Sequence, residues 1–369
     1  MRVWQSPWSW LKPIEPVDSV AENTLIGMFT RLSLCESGAN QVRVSSTQPP
    51  GGTRIPGAAA HAARYNSRRM MPPRAILAAV SFSDSSRVAL VLAARLARHC
   101  DAELHVLHVE DPLLDAAARY EGINLSTETS AELRRFVAGA WPASQCLTQM
   151  HVLAGAAVDV ILDVAHRHRA DLVVVDSGRM SSVERRVFGS TTEGLLRRTD
   201  VSVLVAPAEW TAPQPDAPDL SDLGPLVVVV DLSDPRSVPA TKAACELASV
   251  LGTSVEIVHF VPDREASEPW RSPVGSAARD AMADARAELE LLIRELGCSV
   301  PVEIRVDAGA VAHRLAEAAG PTGNRAPMLV LGKTAPSSKG GWPGAIVNRV
   351  LSGGTVPVLM YVADQIART

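Results

Sequence analysis

From Arg74 onward, short apolar runs alternate with stretches whose apolar residues recur three and four positions apart. RAILAAV (74–80) predicts a buried strand, SRVALVLAARLARH (86–99) an amphipathic helix and AELHVLHV (102–109) a second strand. A less regular stretch holds a helix near Ala131–Ala140. Beyond it QMHVLAG, ADLVVVD and VSVLVAP read as strands, with VDVILDVAHRH and STTEGLLRRT as the helices between them. Strands and helices alternating at these lengths imply right-handed crossovers and a parallel sheet buried on both faces.

The same order then recurs. PLVVVVDLSDPRS matches RAILAAVSFSDSS, placing Val230 on Val80 and Ser233-Asp234 on Ser83-Asp84; VEIVHFV matches LHVLHV, placing His259 on His108. VEIRVDAGAVAHRLAEAA follows MHVLAGAAVDVILDVAHRH, while MLVLGK and VPVLMYV follow LVVVDS and VSVLVAP. A repeat of about 150 residues is a duplicated domain and not a solenoid unit, whose period lies near 20–50. The expected organisation is an extension at 1–72, a first domain at 73–208, a Pro- and Asp-rich linker at 209–224, a second domain at 225–363 and a tail at 364–369. The extension shows no sustained period and is expected to hold little packed structure; it is either an arm with its own partner or sequence upstream of a working start at Met70 or Met71.

Composition narrows the function classes. Of 369 residues 47% are hydrophobic, and the net charge of -4 gives no basic surface suited to a nucleic-acid backbone. No apolar run reaches the length of a membrane span, and the first residues lack the form of a secretory signal, so the expected location is the cytoplasm. Five dispersed cysteines without a CxxC pair argue against a disulfide framework and against a thiolate metal site.

A strand ending near a Ser-Asp turn, a strand ending in LHV, a helix preceded by LAGAA, and a strand running into a loop that closes on Gly-Ser together resemble the universal stress protein family in its tandem form. The resemblance implies an adenine-nucleotide α-hydrolase-like fold: two open α/β domains, each a mostly parallel five-stranded sheet flanked by helices, paired through their last strands. Such pairing would cover the apolar edges VSVLVAP and VPVLMYV. Nucleotide-binding members carry Gly-x2-Gly-x9-Gly-Ser/Thr after the fourth strand and an aspartate after the first. There, glycines admit backbone N–H groups to phosphate oxygens at a helix N-terminus.

Against that pattern the first domain keeps Gly189 and Ser190, but Asp176 replaces the first glycine, Arg179 the second and Ser81 the aspartate. Arg179, with Arg185 and Arg186, could offset the carboxylate. In the second domain Asp231 and Gly332 fit, Ala335 replaces the second glycine, and Gly344 comes one residue early and is followed by Ala345. Binding there would draw on Asp231, Gly332, Lys333, Lys339, the Gly340-Gly341 amides and Gly344, with ATP the candidate cofactor of that domain alone. The implied function is stress survival by binding or signalling, without catalysis. The alternatives are an ATP sensor using the second domain, and a weak ATPase or nucleotidyl transferase. Candidate partners are a small or apolar molecule in the inter-domain cleft, other proteins, or a second copy of the chain.

Other motifs add little. LGKT (331–334) has Pro327 where a P-loop needs its first glycine. His105 and His108 fall on opposite faces of one strand, and His166 and His168 diverge on a helix, so neither pair suits a metal. Glu110, Asp111 and Asp263 follow second strands at the edge where ligands bind open sheets, and are read as solvated charges.

Overall fold

The computed structural model describes residues 65–66, 71–141, 148–178, 190–207, 210, 220, 223–232, 234, 236–261, 274–308, 326–334 and 356–365. All lie in one compact unit, 40–369.

The first repeat comprises β2 (Ala75–Ala79), α1 (Asp84–His99), β3 (Glu103–Glu110), α2 (Pro112–Tyr120), α3 (Leu125–Ala140), β4 (Thr148–Ala154), α4 (Ala157–Arg167), β5 (Leu172–Asp176), α5 (Ser190–Arg198) and β6 (Ser202–Ala206). The second comprises β7 (Leu223–Val229), α6 (Ser237–Leu251), β8 (Val255–Val261), α7 (Val274–Leu296), β9 (Val302–Ala308), β10 (Ala326–Thr334) and β11 (Val358–Gln365). A two-residue β1, Tyr65–Asn66, precedes both.

Local chemistry sets the helix limits. Ser83 caps α1 by accepting from the Ser86 amide, Asp84 lies in the first turn and Arg98 and His99 in the last, each favourable to the helix dipole. α6 stops at Gly252, whose φ of 66° is left-handed backbone open to glycine. Residues alternate between two cores along the buried strands. Ile76, Ala78, Leu172 and Val174 join the core under α1, α3, α6 and α7, while Leu77, Val173 and Val175 join the core under α4 and α5.

The sheet runs β4-β3-β2-β5-β6-β11-β10-β7-β8-β9. Within each half every pairing is parallel. The halves meet through β6 and β11, antiparallel, with Val205 opposite Val358, Leu204 opposite Leu359 and Val203 opposite Met360. All six are buried, as the apolar edges required.

Several boundaries depart from the expectation. Tyr65–Asn66 in the extension pairs with Gln365 and Asp364 on β11, and β11 itself runs into the expected tail. Two residues are too short a strand to show a period in sequence. The linker begins and ends in the core, with Trp210 and Leu220 buried. Met71, at the end of the extension, is buried in the core and Pro72 follows it; the rest of the extension lies outside the described residues.

Cysteine usage also needs correction. Cys245 on α6 and Cys298, after α7, form a disulfide with Cα atoms 5.6 Å apart. Their wide separation hid the pair, which forms because both helices pack on one face of the second half-sheet. Cys100 is a free thiol that burial pushes up to about 11. Because the bridge closes a long loop, Cys298→Ser is expected to lower stability by about 2–4 kcal/mol in denaturant titrations, a difference that vanishes when both proteins are fully reduced.

Candidate functional site

In an open α/β sheet the ligand position lies beyond the strand C-termini, where neighbouring crossovers depart to opposite sides. Here that is between β2 and β5 in the first half, and between β7 and β10 in the second. In both halves a histidine braces the strand end. The Nδ1–H of His108 donates to the Val80 carbonyl at 2.9 Å, and that of His259 to the Val230 carbonyl at 2.7 Å. Phe82, with φ 61°, makes the turn after β2 and stacks on His108 at 4.1 Å between ring centroids.

The first edge is occupied by the protein's own anion. Asp176 ends β5, and its Oδ2 accepts from the hydroxyls of Ser86 at 2.6 Å, Ser85 at 3.0 Å and Ser83 at 3.4 Å. Its Oδ1 accepts from the Gly178 amide at 2.8 Å. Ser81, where the family pattern has aspartate, places its hydroxyl 2.9 Å from that of Ser86 and donates its amide to the same oxygen at 3.0 Å. The three serines belong to the cap and first turn of α1, so the carboxylate sits against a helix N-terminus that favours negative charge.

At the second edge Gly332 takes the register that Asp176 takes in the first. A Cβ on Gly332 would lie 2.7 Å from the Arg236 carbonyl oxygen and 3.2 Å from Cβ of Ala240, so the start of α6 crosses β10 at a distance only glycine permits. Asp231 is exposed just past β7. Its amide donates to the Ser237 hydroxyl at 3.0 Å and its carbonyl accepts from the Asp234 amide at 2.9 Å. Asp234 in turn grips Arg236, with Nε at 2.7 Å from each carboxylate oxygen. Ser190 opens α5 and is exposed; Arg179, Gly189 and Gly344 lie outside the described residues.

The acidic residues at the strand ends divide. Asp111 caps α2 by accepting from the Leu113 amide at 2.8 Å, whereas Glu110, read from sequence as solvated, is the buried last residue of β3 and its Oε1 has no hydrogen-bond partner among the described residues. Asp263 lies outside the described residues. The histidines diverge pairwise as expected, yet one from each pair meets a third. His105 on β3, His151 on β4 and His168, which caps the C-terminus of α4, gather with ring centroids 4.4–5.4 Å apart. Burial, and then the neighbouring His168, hold the imidazoles of His105 and His151 below their ordinary value. Pair spacing within one element could not reveal a group drawn from three.

The profile described as "Universal stress protein family" matches residues 73–207 and again 223–361. This chain belongs to the universal stress protein family. It is a tandem member, with the family's adenine-nucleotide α-hydrolase-like fold in each repeat. No curated protein matches it. Among solved structures, a putative universal stress protein from Pseudomonas aeruginosa UCBPP-PA14 is similar at 17% identity, covering 79% of this chain and 94% of its own, with a TM-score of 0.53. A universal stress protein from Archaeoglobus fulgidus is similar at 16% identity, with 78% and 97% covered and a TM-score of 0.52. A functionally unknown protein from Pseudomonas aeruginosa PAO1 shares 15% identity over 79% of this chain and 93% of its own, with a TM-score of 0.53.

In this tandem universal stress protein Lys333 has a task that its place beside Gly332 does not suggest. Its ammonium is buried and donates to the carbonyls of Leu196 and of Thr199, the latter at 3.3 Å. A lysine of the second domain thus caps the C-terminal end of α5 in the first, where exposed carbonyls favour a cation, and it is turned away from any ligand of its own edge. Burial pushes the ammonium down from 10.5 to about 8, against an upward pull from Asp200. Between those two values the unfolded chain holds a proton that the folded chain has released, so stability rises with pH through that window, and the cost of burying the charge is felt in full below it. Wild type is therefore expected to gain about 2 kcal/mol relative to Lys333→Met between about pH 7 and about pH 9.5, read from urea midpoints; a constant difference would contradict the buried ammonium.

Proposed function

We propose that this tandem universal stress protein serves a stress response by binding, not by turnover, and that its first domain does not use the family's nucleotide mode. The observation that carries this reading is the Asp176 carboxylate held by Ser83, Ser85, Ser86 and the Gly178 amide. A phosphate brought to that edge would meet a fixed negative charge, and the hydroxyls suited to receive it already serve Asp176. No catalytic base is needed for such a role, and none is assigned. The working location is the cytoplasm, and the partners are other proteins, a second copy of the chain, or a small or apolar molecule between the domains.

A second reading has its own support. Asp231 is exposed and Gly332 lets the start of α6 approach the strand end, so the second domain retains the two features of a nucleotide edge that the first has lost. In that reading ATP binds the second domain alone, through Asp231, the Gly332 backbone and the Gly344 loop, without Lys333. Calorimetric titration of the full chain with ATP and magnesium separates the outcomes. At most one site per chain is expected, insensitive to Ser85→Ala and abolished by Asp231→Ala. Two sites, or binding that survives Asp231→Ala, would overturn the closed first domain, and absence of heat would overturn the second reading alone.

A further inference from the structure

The three imidazoles on the α4 face of the first half-sheet have no role in either nucleotide edge. β3 spans Glu103–Glu110, so His105 lies near its N-terminal end, whereas the nucleotide edges lie beyond strand C-termini. His105 pairs across the ladder with Gln149, and Leu107 with His151, which puts both histidines on one face, two residues out of register. His168 reaches the same place from the end of α4, where its amide closes the helix on the Val164 carbonyl at 3.0 Å and Arg169 turns the chain with φ 52°. One nitrogen from each ring lies within 4.8 Å of the others, and Nδ1 of His105 stands 3.2 Å from Nε2 of His151.

The hydrogen bonding of the group is incomplete. His105 is 1% exposed, and its Nε2 has no hydrogen-bond partner among the described residues; Oε1 of Glu103 stands 3.6 Å away. Glu103 is itself held by the side-chain amide of Gln149. The second domain shows what these positions carry when they are self-sufficient. Matching His259 to His108 and using the ladders His108–Val152 and His259–Val306 places Glu256 on His105 and Arg305 on His151. There the side chains answer each other as an ion pair at 3.1 Å. The first domain substitutes donor nitrogens that want a shared cation.

We propose that His105, His151 and His168 form a binding site for a divalent transition metal ion of the zinc class. Imidazole nitrogens suit zinc, cobalt, nickel or copper and not magnesium or calcium, which take oxygen. A tetrahedral zinc ion sets its nitrogen ligands about 3.3 Å apart, matched by the His105–His151 separation, and a rotation of the half-buried His168 completes the triangle. With Nδ1 of His105 on the metal, Nε2–H faces Glu103, the carboxylate–histidine–metal arrangement that fixes a ligand's tautomer and orientation. Partial exposure of His151 and His168 supplies the entry path and leaves a fourth position for water.

The test uses the full chain, purified without a histidine tag and stripped by a chelator, then titrated with cobalt and with zinc. Expected are one ion per chain, visible absorption from the cobalt form typical of tetrahedral nitrogen ligation, and a zinc-dependent rise in melting temperature. His168→Ala and His151→Ala should each weaken binding at least about a hundredfold, and Glu103→Gln about tenfold. His166→Ala, next to the site and bonded to Asp200, should change nothing. His168 is half-buried at a helix end, so its variant is expected to keep the wild-type circular dichroism if the other fails to fold. Absence of stoichiometric binding, or binding retained by the His151→Ala/His168→Ala double variant, would overturn the site.

Discussion

The antiparallel pairing of β6 with β11 is the constraint from which the rest of the architecture follows. Each repeat ends in a strand apolar on both faces, and neither could present that edge to water without inviting association. Pairing the two inside one chain buries Val203, Leu204 and Val205 against Val358, Leu359 and Met360 and leaves only β4 and β9 as outer edges of the ten-strand path. It also fixes where the candidate sites lie. Strands within a half are parallel and the halves are antiparallel, so the two nucleotide edges open at opposite ends of the sheet. The same geometry brings the end of β10 beside the strand start that α5 leads into, which is how Lys333 reaches the carbonyls of Leu196 and Thr199.

The two edges solve one packing problem differently. A helix N-terminus must cross close to the end of the fourth strand of each repeat. In the second repeat the strand yields, with Gly332 leaving room for the Arg236 carbonyl 2.7 Å from where a Cβ would stand. In the first the strand contributes a side chain, and the serine-rich turn before and within α1 is shaped around it. Ser83 has its sequence counterpart in Ser233, Pro235 and Arg236 stand at the positions of Ser85 and Ser86, and the Ser237 hydroxyl, one residue later, accepts from the Asp231 amide as the Ser86 hydroxyl does from the Ser81 amide. Loss of the glycine and gain of the serines belong together, because an aspartate at that position without donors would be a carboxylate left unsatisfied beside backbone.

The duplication and the element order were legible in sequence because each rests on periodicity or on a run of apolar residues, which a chain displays locally; the seam was implied by the family resemblance, which the apolar last strands fit. Asp176 as a misfit in the glycine pattern was legible too, but its consequence was not, since the three hydroxyls that hold it lie about ninety residues upstream. Lys333 misled through adjacency: LGKT puts it beside the edge, while strand alternation turns it to the opposite domain. The histidine group and the Cys245–Cys298 bridge went unseen for the same reason, that their members are single residues on separate elements. Only the register of β3 on β4, and the placement of α6 and α7 over one face of the second half-sheet, define those neighbours.

Outer edges of a large sheet must discourage further pairing, and the two ends of this one do so with different chemistry. On β9 the face beside β8 carries Arg305 between Glu256 and Asp307, at 3.1 and 3.6 Å, and Glu303 stands opposite Glu256 in the ladder, so charges crowd the edge. On β4 the equivalent face carries Gln149 and His151, groups that can be neutral and therefore repel an incoming strand less. A cation shared by His105, His151 and His168 would restore charge to that end and tie the edge strand to both β3 and the end of α4. The metal and the ion pair are then alternative answers to the same demand, placed at matching positions of the two repeats.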